Sequence, residues 1–496
     1  MSIPITGWFL LPLGLVIVTL PWRICLIGLV TFAMMSPAAV VNIGSFGLQP
    51  GYYMLLLLVG RSAAQIMVRG YRLNAYVLFR MRGLFAFIAV AFLVLFVALC
   101  FFQGKVQTLP GTAGFNSNLT RPFHLVRENI TQIVYVLMNA CLVYCMAHQG
   151  ARRAVPDLFR QWDTAMVCGL CFAAAVSLWQ FASLYSGIYF PNDFFYSNAG
   201  YNRADSQQMV GLFRINGPFE EPSTLGYIFS SYLLFAWLRY RLYPTAFSVI
   251  LIAACIFCLL VSTSTTAYFG LFLFGCIAVY DVMAGRLHLL ARNLRLSSAQ
   301  FTAIFVITVS IIGGSIVIAR NWDSIYYIIQ DTVLHKTQSS SYQQRSFADM
   351  MAVRIFVETY AIGIGLGSHK ANNMLLTLLS NTGILGLLCF VWFVLSLLRR
   401  APFTIDRQQT EMLRRAMRPY QWGLLGLLLI HVFSNPNLST IALWVEMGGL
   451  LALQAALHKL RLRQPDITIP RNMFSRSRTA EPLLHRIRSA RRPLAT

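Results

Sequence analysis

The sequence contains little charge for its length. Only 11% of its 496 residues are charged, whereas 57% are hydrophobic and the mean hydropathy is +0.61. Soluble domains carry about 25% charged residues, so this composition excludes an ordinary soluble protein. Acidic residues are the scarcest charged type, with 17 Asp and Glu against 40 Lys and Arg. The short alternating segments of a β-barrel are also missing, which leaves an all-α polytopic integral membrane protein as the predicted fold class.

Apolar stretches long enough to cross a bilayer recur along the chain, and each crossing needs about 20 residues. We predict about twelve to thirteen transmembrane helices, at residues 6–20, 24–42, 50–67, 84–102, 128–148, 163–188, 223–240, 245–262, 266–283, 301–319, 373–398, 420–435 and 440–457. Residues 1–457 then form the transmembrane domain, and residues 458–496 form a basic tail.

Basic residues indicate the orientation of these helices. When the helices are counted, the basic segments all fall on the same side as the tail: 61–83, 149–160, 239–243, 284–299 and 399–419. Positive residues concentrate in cytoplasmic connections, so we predict that this side is the cytoplasm. The same rule explains the net charge of +23 without nucleic acid, and the tail can also lie on anionic lipid head groups. The large outer loops are then at about 103–127, 189–222 and 320–372.

Metal and redox sites have no support in the sequence. The ten cysteines all lie in apolar segments, and the pairs Cys168/Cys171 and Cys255/Cys258 have only Asp163 as a nearby ionisable partner. Such sites need polar partners and access, so we interpret both pairs as small helix-packing residues. The outer loops at 189–222 and 320–372 also lack an Asp-x-Asp motif and any His and carboxylate cluster with ligand spacing.

Charged residues stand directly before one of the predicted helices. In "FRINGPFEEPSTLG", Arg214, Glu220 and Glu221 precede the helix predicted at 223–240. One interpretation is that Ser223 caps this helix, with the carboxylates at its positive end. The alternative is an anionic ligand at the membrane surface. It also explains the arginine, because positive charge is normally scarce in outer loops and arginine suits forked binding of phosphate.

The outer loop at 320–372 contains a second set of charged residues. Met350, Arg354 and Glu358 are spaced to share one helix face, and Arg345 lies about one turn before them. An amphipathic helix on the membrane surface is the alternative explanation. "GIGLGS", at 363–368, is a glycine-rich turn that would let backbone N–H groups approach a ligand, although it lacks the Gly-Lys-Ser ending of a P-loop.

Three segments together resemble the O-antigen ligase and O-antigen polymerase superfamily. "GIGLGSHKANNMLLTLLSNTGILGLL" is similar to its C-terminal signature, with Arg345 at the expected distance before the Gly-x-Gly turn, Asn372-Asn373 at the polar pair and Gly383 at the later glycine. "RINGPFEEPS" resembles the Arg-x-x-Gly-x-Phe segment of the superfamily. "LLVSTSTTAYFGLFLFG" resembles the serine-rich helix between the two loops. The resemblance covers residues from about 200 to 460, in the expected order.

This resemblance implies a glycosyltransferase C-like fold and a metal-independent enzyme without a cofactor. It would polymerise or transfer oligosaccharide repeats linked to undecaprenyl diphosphate at the periplasmic face of the bacterial inner membrane, in surface polysaccharide or exopolysaccharide synthesis. A flippase and a chain-length regulator are implied partners. On this basis we expect catalysis by Arg214, Glu221 and Arg345, and substrate binding by Glu220, Arg354, Gly365, His369, Lys370, Asn372 and Asn373.

The chain departs from the superfamily pattern at one position. Ligases typically carry His-Asn at the polar pair, whereas this chain has Asn372-Asn373, with His369 as the nearby histidine. Because asparagine does not accept a proton, we assign the base to Glu221 and favour a polymerase over a ligase that transfers glycan to a lipid or protein acceptor.

Two functions of other classes remain open. A flippase or transporter of lipid-linked sugars would need polar residues deep in the helices, and Glu446 is the main one in the sequence. A scaffold subunit would not need clustered arginines in outer loops.

Overall fold

The computed structural model describes residues 1–70, 73–109, 120–201, 208–209, 212–289, 340–399, 407–434 and 437–463. Within them, fourteen helices are α1 Ile5–Thr19, α2 Trp22–Ala33, α3 Pro50–Arg69, α4 Ala75–Phe101, α5 Arg127–Gly150, α6 Val155–Ser186, α7 Asn192–Phe195, α8 Pro222–Leu242, α9 Ala246–Val261, α10 Thr265–Leu289, α11 Ser340–Glu358, α12 Met374–Leu398, α13 Arg407–Ser434 and α14 Ile441–Arg463. The predicted span at 301–319, most of the loop before α11 and most of the basic tail lie outside the described residues.

Strands are few and short in the described part of the chain. They form three antiparallel hairpins, which pair β1 Val41–Ile43 with β2 Phe46–Leu48, β3 Gln107–Thr108 with β4 Arg121–Pro122, and β5 Gln208–Met209 with β6 Leu212–Phe213. In the first hairpin Val41 lies opposite Leu48. The architecture is therefore helical, as predicted.

Six of the described helices are long and apolar enough to cross a membrane, judged by length and composition. They are Pro50–Val68, Ala75–Phe101, Arg127–Gly150, Val155–Ser186, Met374–Leu398 and Ile441–Lys459. Four shorter apolar stretches accompany them: α1, α2, α9 and the part of α10 from Thr265 to Tyr280. The chain is thus a membrane-embedded helical protein in which several predicted spans are shorter than a full crossing.

The predicted span at 24–42 is wrong, because α2 ends at Ala33 and the chain then enters the β1–β2 hairpin. Pro37 is the physical reason. Its ring disfavours helical geometry at Ser36, and it has no N–H to donate to a continuing helix. The segment is apolar throughout, so hydropathy alone did not separate the helix from the hairpin.

Contacts along the helices give their relative directions. In α4 and α12, Arg80 donates to the Ser396 carbonyl oxygen near one end, while Leu95 packs against Gly365, just before α12, at the other. These helices are therefore antiparallel. By contrast, α5 and α14 run parallel, since Met146 contacts Gly448 and, further along both helices, Gly150 contacts Ala452.

Gly367, just before α12, contacts Glu128 at the start of α5. In α8, Tyr227 contacts Thr440, just before α14, and Ser231 contacts Glu446, so α8 runs parallel to α14. Helices α5, α8, α12 and α14 therefore begin at the same end of the bundle. We call it the loop end; among the described residues it carries 34–49, 102–109, 120–126, 187–201, 208–209, 212–221 and 359–373. The opposite end, where α5 and α14 finish, we call the basic end. There a partly buried ion pair joins Arg239 of α8 to Asp163 of α6, with Nε 2.8 Å from Oδ1. Asp163 thus pairs with an arginine and does not serve the nearby cysteines.

Candidate active site

The turn that leads into α8 is held by α6. The side-chain oxygen of Gln180 accepts hydrogen bonds from the main-chain N–H groups of Asn216, at 2.8 Å, and Gly217, at 2.7 Å. The Tyr196 hydroxyl accepts from the Gln180 amide, at 2.9 Å, and donates to the Gly217 carbonyl oxygen, at 2.7 Å. Gly217 adopts φ +60°, a left-handed conformation that favours glycine. This network fixes the backbone that presents the arginine and both glutamates.

Arg214 lies at the mouth of α8, partly buried. Its Nε donates a long hydrogen bond, 3.5 Å, to the carbonyl oxygen of Ser262 in the α9–α10 turn. Burial lowers the pKa of the guanidinium, the Glu221 carboxylate opposes this shift, and the charge of Arg345 adds to it. The two arginines predicted from separate loops therefore lie within electrostatic reach of each other.

Glu220 is partly buried in the turn before α8, next to Glu221. The Thr224 hydroxyl donates to its Oε1 at 3.4 Å. Burial raises the pKa of Glu220 to about 7, and the neighbouring charge of Glu221 acts in the same direction. Lys370 and the hydroxyl of Tyr201 oppose the shift. A carboxyl group with this pKa is suited to accept and release a proton near neutral pH.

Glu221 occupies the N-cap position of α8 without a side-chain capping bond. Its side chain is exposed, and the Ser223 hydroxyl donates to its Oε2 at 2.9 Å. The interpretation that Ser223 caps this helix is therefore wrong, because α8 begins at Pro222 and the Ser223 hydroxyl is directed to the carboxylate. The other part of that interpretation is confirmed for Glu221, which stands at the positive end of α8.

Arg345 belongs to α11, where Asp349 follows it by four residues and so shares its face. The carboxylate of Asp349 accepts a hydrogen bond from the main-chain N–H of Asn372 at 2.8 Å. Burial raises the pKa of Asp349, against the opposing effects of the Asn372 and Asn373 groups and of the Arg345 charge. Asp349 thus ties α11 to the residues that precede α12.

The structure does not bring Arg354 into this group. It follows Arg345 by nine residues, which places it on the opposite side of α11. Its side chain is 61% exposed and pairs with Glu358, Nε to Oε1 at 2.6 Å. The predicted common face of Arg354 and Glu358 is confirmed, but it points away from the face that holds Arg345.

The glycine-rich turn before α12 packs against protein backbone. Gly363, Gly365 and Gly367 adopt φ values of +88°, +92° and +84°. The N–H of Gly365 donates to the Asn381 carbonyl oxygen at 2.8 Å, and that of Gly363 to the Thr359 hydroxyl at 3.0 Å. The expectation that these N–H groups face a ligand is therefore wrong for Gly363 and Gly365, because both are used inside the protein.

Gly383 connects the two halves of the predicted C-terminal signature. It interrupts α12 with φ +63° and ψ −169°. This kink frees the N–H of Ile384 to donate to the Ala361 carbonyl oxygen at 3.0 Å, directly beside the glycine-rich turn. Gly363, Gly365 and Gly383 thus all contribute to the docking of residues 361–365 onto α12.

His369 lies behind the site and is only 2% exposed. Its Nδ1 accepts from the Leu109 N–H at 3.3 Å, and its Nε2 lies 3.0 Å from the Ala348 carbonyl oxygen. These contacts require the neutral ring with the proton on Nε2. Burial lowers the pKa of His369 to about 4, so the ring is uncharged at neutral pH. Its side chain positions the loop, whereas Lys370, the next residue, acts on Glu220 through its charge.

The two asparagines of the polar pair have different positions. Asn373 caps α12, since its Oδ1 accepts from the Leu376 N–H at 2.9 Å. Asn372 is held through its backbone by Asp349. Both therefore orient the chain around the acidic side chain, and a direct contact with substrate stays a prediction.

Six charged residues accordingly come together at the loop end. We call them the loop-end cluster: Arg214, Glu220, Glu221, Arg345, Asp349 and Lys370. Sequence reasoning missed Asp349, although its spacing from Arg345 was a usable signal. It also missed Gln180 and Tyr196, which stand in apolar surroundings without a motif.

No three histidine, cysteine, aspartate or glutamate side chains lie together as a metal-binding group among the described residues. Comparisons with protein-family models, with curated proteins and with solved structures give no match for this chain.

Proposed function

We propose that this protein is a membrane glycosyltransferase that polymerises oligosaccharide repeats carried on a polyprenyl diphosphate. The observation that carries the proposal is that Arg214 and Arg345, from distant parts of the chain, lie within electrostatic reach of each other, while Glu221 acts on both Arg214 and Glu220. Two guanidinium groups held within reach of each other repel, so such a pair suits a site that receives an anion. A diphosphate at the head of a membrane lipid is such an anion, and it lies at the membrane surface, where the helices begin.

The reaction is a displacement at the anomeric carbon of the donor sugar. The hydroxyl oxygen of an acceptor sugar forms a bond to that carbon, and the bond from the carbon to the diphosphate oxygen breaks. The electron pair leaves with the diphosphate, and the hydroxyl proton passes to a carboxylate. Arg214 and Arg345 would stabilise the growing negative charge, each by about 2–4 kcal/mol on the scale of oxyanion donors.

Glu220 is the stronger candidate for the proton acceptor. Its pKa of about 7 leaves a substantial fraction ionised at neutral pH and still makes it a better base than an ordinary carboxylate. Glu221, which the sequence favoured, lies next to Arg214 and raises the pKa of Glu220 through its charge. In this scheme Glu221 raises the pKa of the base, and Lys370 contributes positive charge.

The setting agrees with a lipid-linked donor. The loop-end cluster lies where α8 and α12 begin, so a lipid tail beside the helices brings its head group to the cluster. We assign this end to the periplasmic face of a bacterial inner membrane, because the other end carries the basic connections. Undecaprenyl diphosphate is the corresponding carrier.

The test is glycan synthesis by purified protein in liposomes that contain a lipid-linked repeat. Arg214→Lys and Arg345→Lys keep the positive charge but lose the forked pair of guanidinium N–H donors. Each variant should therefore reduce turnover about 10-fold to 1000-fold. Arg354→Lys is the matched control on the opposite face of α11 and should leave turnover unchanged. Laddered product supports a polymerase, and product on a separate acceptor supports a ligase. Normal turnover in both arginine variants would refute the proposed site.

A transporter remains the competing class, and one observation bears on it. Glu446 is buried in α14, where the Ser231 hydroxyl donates to its Oε1 at 3.1 Å. A buried carboxylate inside a membrane bundle is a feature of transport pathways. If Glu446→Gln abolished lipid-linked sugar movement while no glycosidic bond formed in any assay, transport would replace the proposal.

A further inference from the structure

A cavity of about 470 Å³ lies at the basic end, far from the loop-end cluster along the helix axes. It is formed where α4 begins and where α5 and α14 finish. Four basic side chains line its wall: His148, Arg152, His458 and Lys459. A cavity with this lining favours a negatively charged occupant.

His148 supplies a second sign of a ligand. It is only 3% exposed, and its Nε2 has no hydrogen-bond partner among the described residues. Its Nδ1 lies 3.5 Å from the Tyr144 hydroxyl oxygen, and its side chain lines the cavity. A buried polar atom without a partner calls for an explanation such as a bound water or ion. Arg152 lies close enough to His148 to act on it electrostatically.

The wall of the cavity is built from stacked rings. Tyr76 and His458 stack with their centroids 3.9 Å apart and their planes 12° apart. The Tyr144 hydroxyl accepts from the main-chain N–H of Asn74 at 3.3 Å, and its ring stacks on His148. These contacts hold the side chains of His148 and His458 in place before any ligand arrives.

An apolar groove of about 380 Å³ adjoins the cavity between α3, α4 and α5. Leu73 lines both spaces, and Tyr144 stands in the groove wall beside the cavity. Along α4 the groove extends from Leu78 to Ile88, about 15 Å at the helical rise. Phe85, another lining residue, is 42% exposed, so the groove opens toward the surroundings of the bundle.

We propose that the cavity and groove together bind one anionic phospholipid, with its phosphate among the basic side chains and an acyl chain in the groove. The adjoining basic and apolar spaces match the two halves of such a molecule, and basic pockets between membrane helices suit lipid head groups. The site involves none of the loop-end cluster, so it stands independently of the proposed glycosyl transfer.

The experiment is native mass spectrometry of the delipidated full-length protein titrated with phosphatidylglycerol or phosphatidylcholine. Arg152→Gln/Lys459→Gln should weaken phosphatidylglycerol binding about 30-fold, since each basic residue near an anionic lipid contributes about fivefold. Ala140→Phe, which fills the groove, should weaken it as well. Arg160→Gln/Arg241→Gln removes two charges near the same end of the bundle outside the cavity and should have little effect. Thermal unfolding of each variant verifies that it is folded.

Three results would overturn the proposal. One is equal binding of phosphatidylglycerol and phosphatidylcholine. Another is an equal loss in the control double variant, which would indicate general surface attraction. The third is competition by soluble glycerol phosphate at the same concentration as the lipid, which would show that the site recognises free phosphate and that the groove contributes nothing.

Discussion

Replacement of Glu220 by glutamine removes the group whose pKa is raised to about 7, while it keeps the size and shape of the side chain. In this variant the pH dependence of turnover and the pH dependence of stability should both change. Turnover of the wild-type protein should rise with pH through about 7, because the proposed base must be ionised. Stability should fall over part of the same range, because ionisation places a charge in a partly buried position.

The sign and size of the stability effect follow from the two pKa values. The ordinary value is 4.5 and the folded value is about 7, so the contribution of Glu220 is fully present below 4.5 and is lost as the pH rises to about 7. Each pH unit in this window costs at most about 1.4 kcal/mol, which limits the total to about 3 kcal/mol. Solvent near the partly exposed side chain reduces this figure.

The assay is thermal unfolding in detergent at pH 5, 6, 7 and 8, followed by tryptophan fluorescence, with turnover in liposomes over the same range. Glu220→Gln should flatten the fall in Tm and abolish the rise in turnover. Glu358→Gln, on the exposed face of α11, is the matched carboxylate control and should retain both dependences. Parallel Tm curves for wild type and Glu220→Gln would refute the raised pKa. An unchanged pH profile of turnover would refute the role as base.

Three further predictions concern the fold and the orientation. Asp349→Ala leaves the part-buried main-chain N–H of Asn372 without its acceptor and should destabilise the protein by about 1–3 kcal/mol, measured as a lower Tm. Gly365→Ala should destabilise it by a similar amount because of its φ of +92°, whereas Gly60→Ala, inside α3 with open space around it, should be tolerated. The orientation can be tested by cysteine labelling in a background without exposed native cysteines. Lys105→Cys should react with impermeant maleimide from the periplasm, whereas Arg160→Cys should react only after permeabilisation. The reverse pattern would refute the orientation.

The glycine-rich turn is a feature whose position, but not its function, follows from the sequence. Its glycines were identified correctly as special, yet their function in the described structure is packing against α4, α5 and α12. Glycine spacing reports that backbone must come close to something, and it does not say whether the neighbour is a ligand or the protein itself. The same limit applies to His369, since burial of its ring depends on Leu109 and Ala348, which are distant in sequence.

The sequence by itself determined the membrane class, most helix positions and the charged residues at the mouth of α8, because hydropathy and local charge act over about 20 neighbouring residues. It also placed Arg345 and Lys370 in a loop expected at the same end. Only the tertiary structure decided which of these residues meet. The raised pKa of Glu220 and the anchoring of Asn372 by Asp349 depend on contacts between segments that are distant in sequence. Burial and electrostatic coupling are properties of the packed helices, so no local pattern contains them.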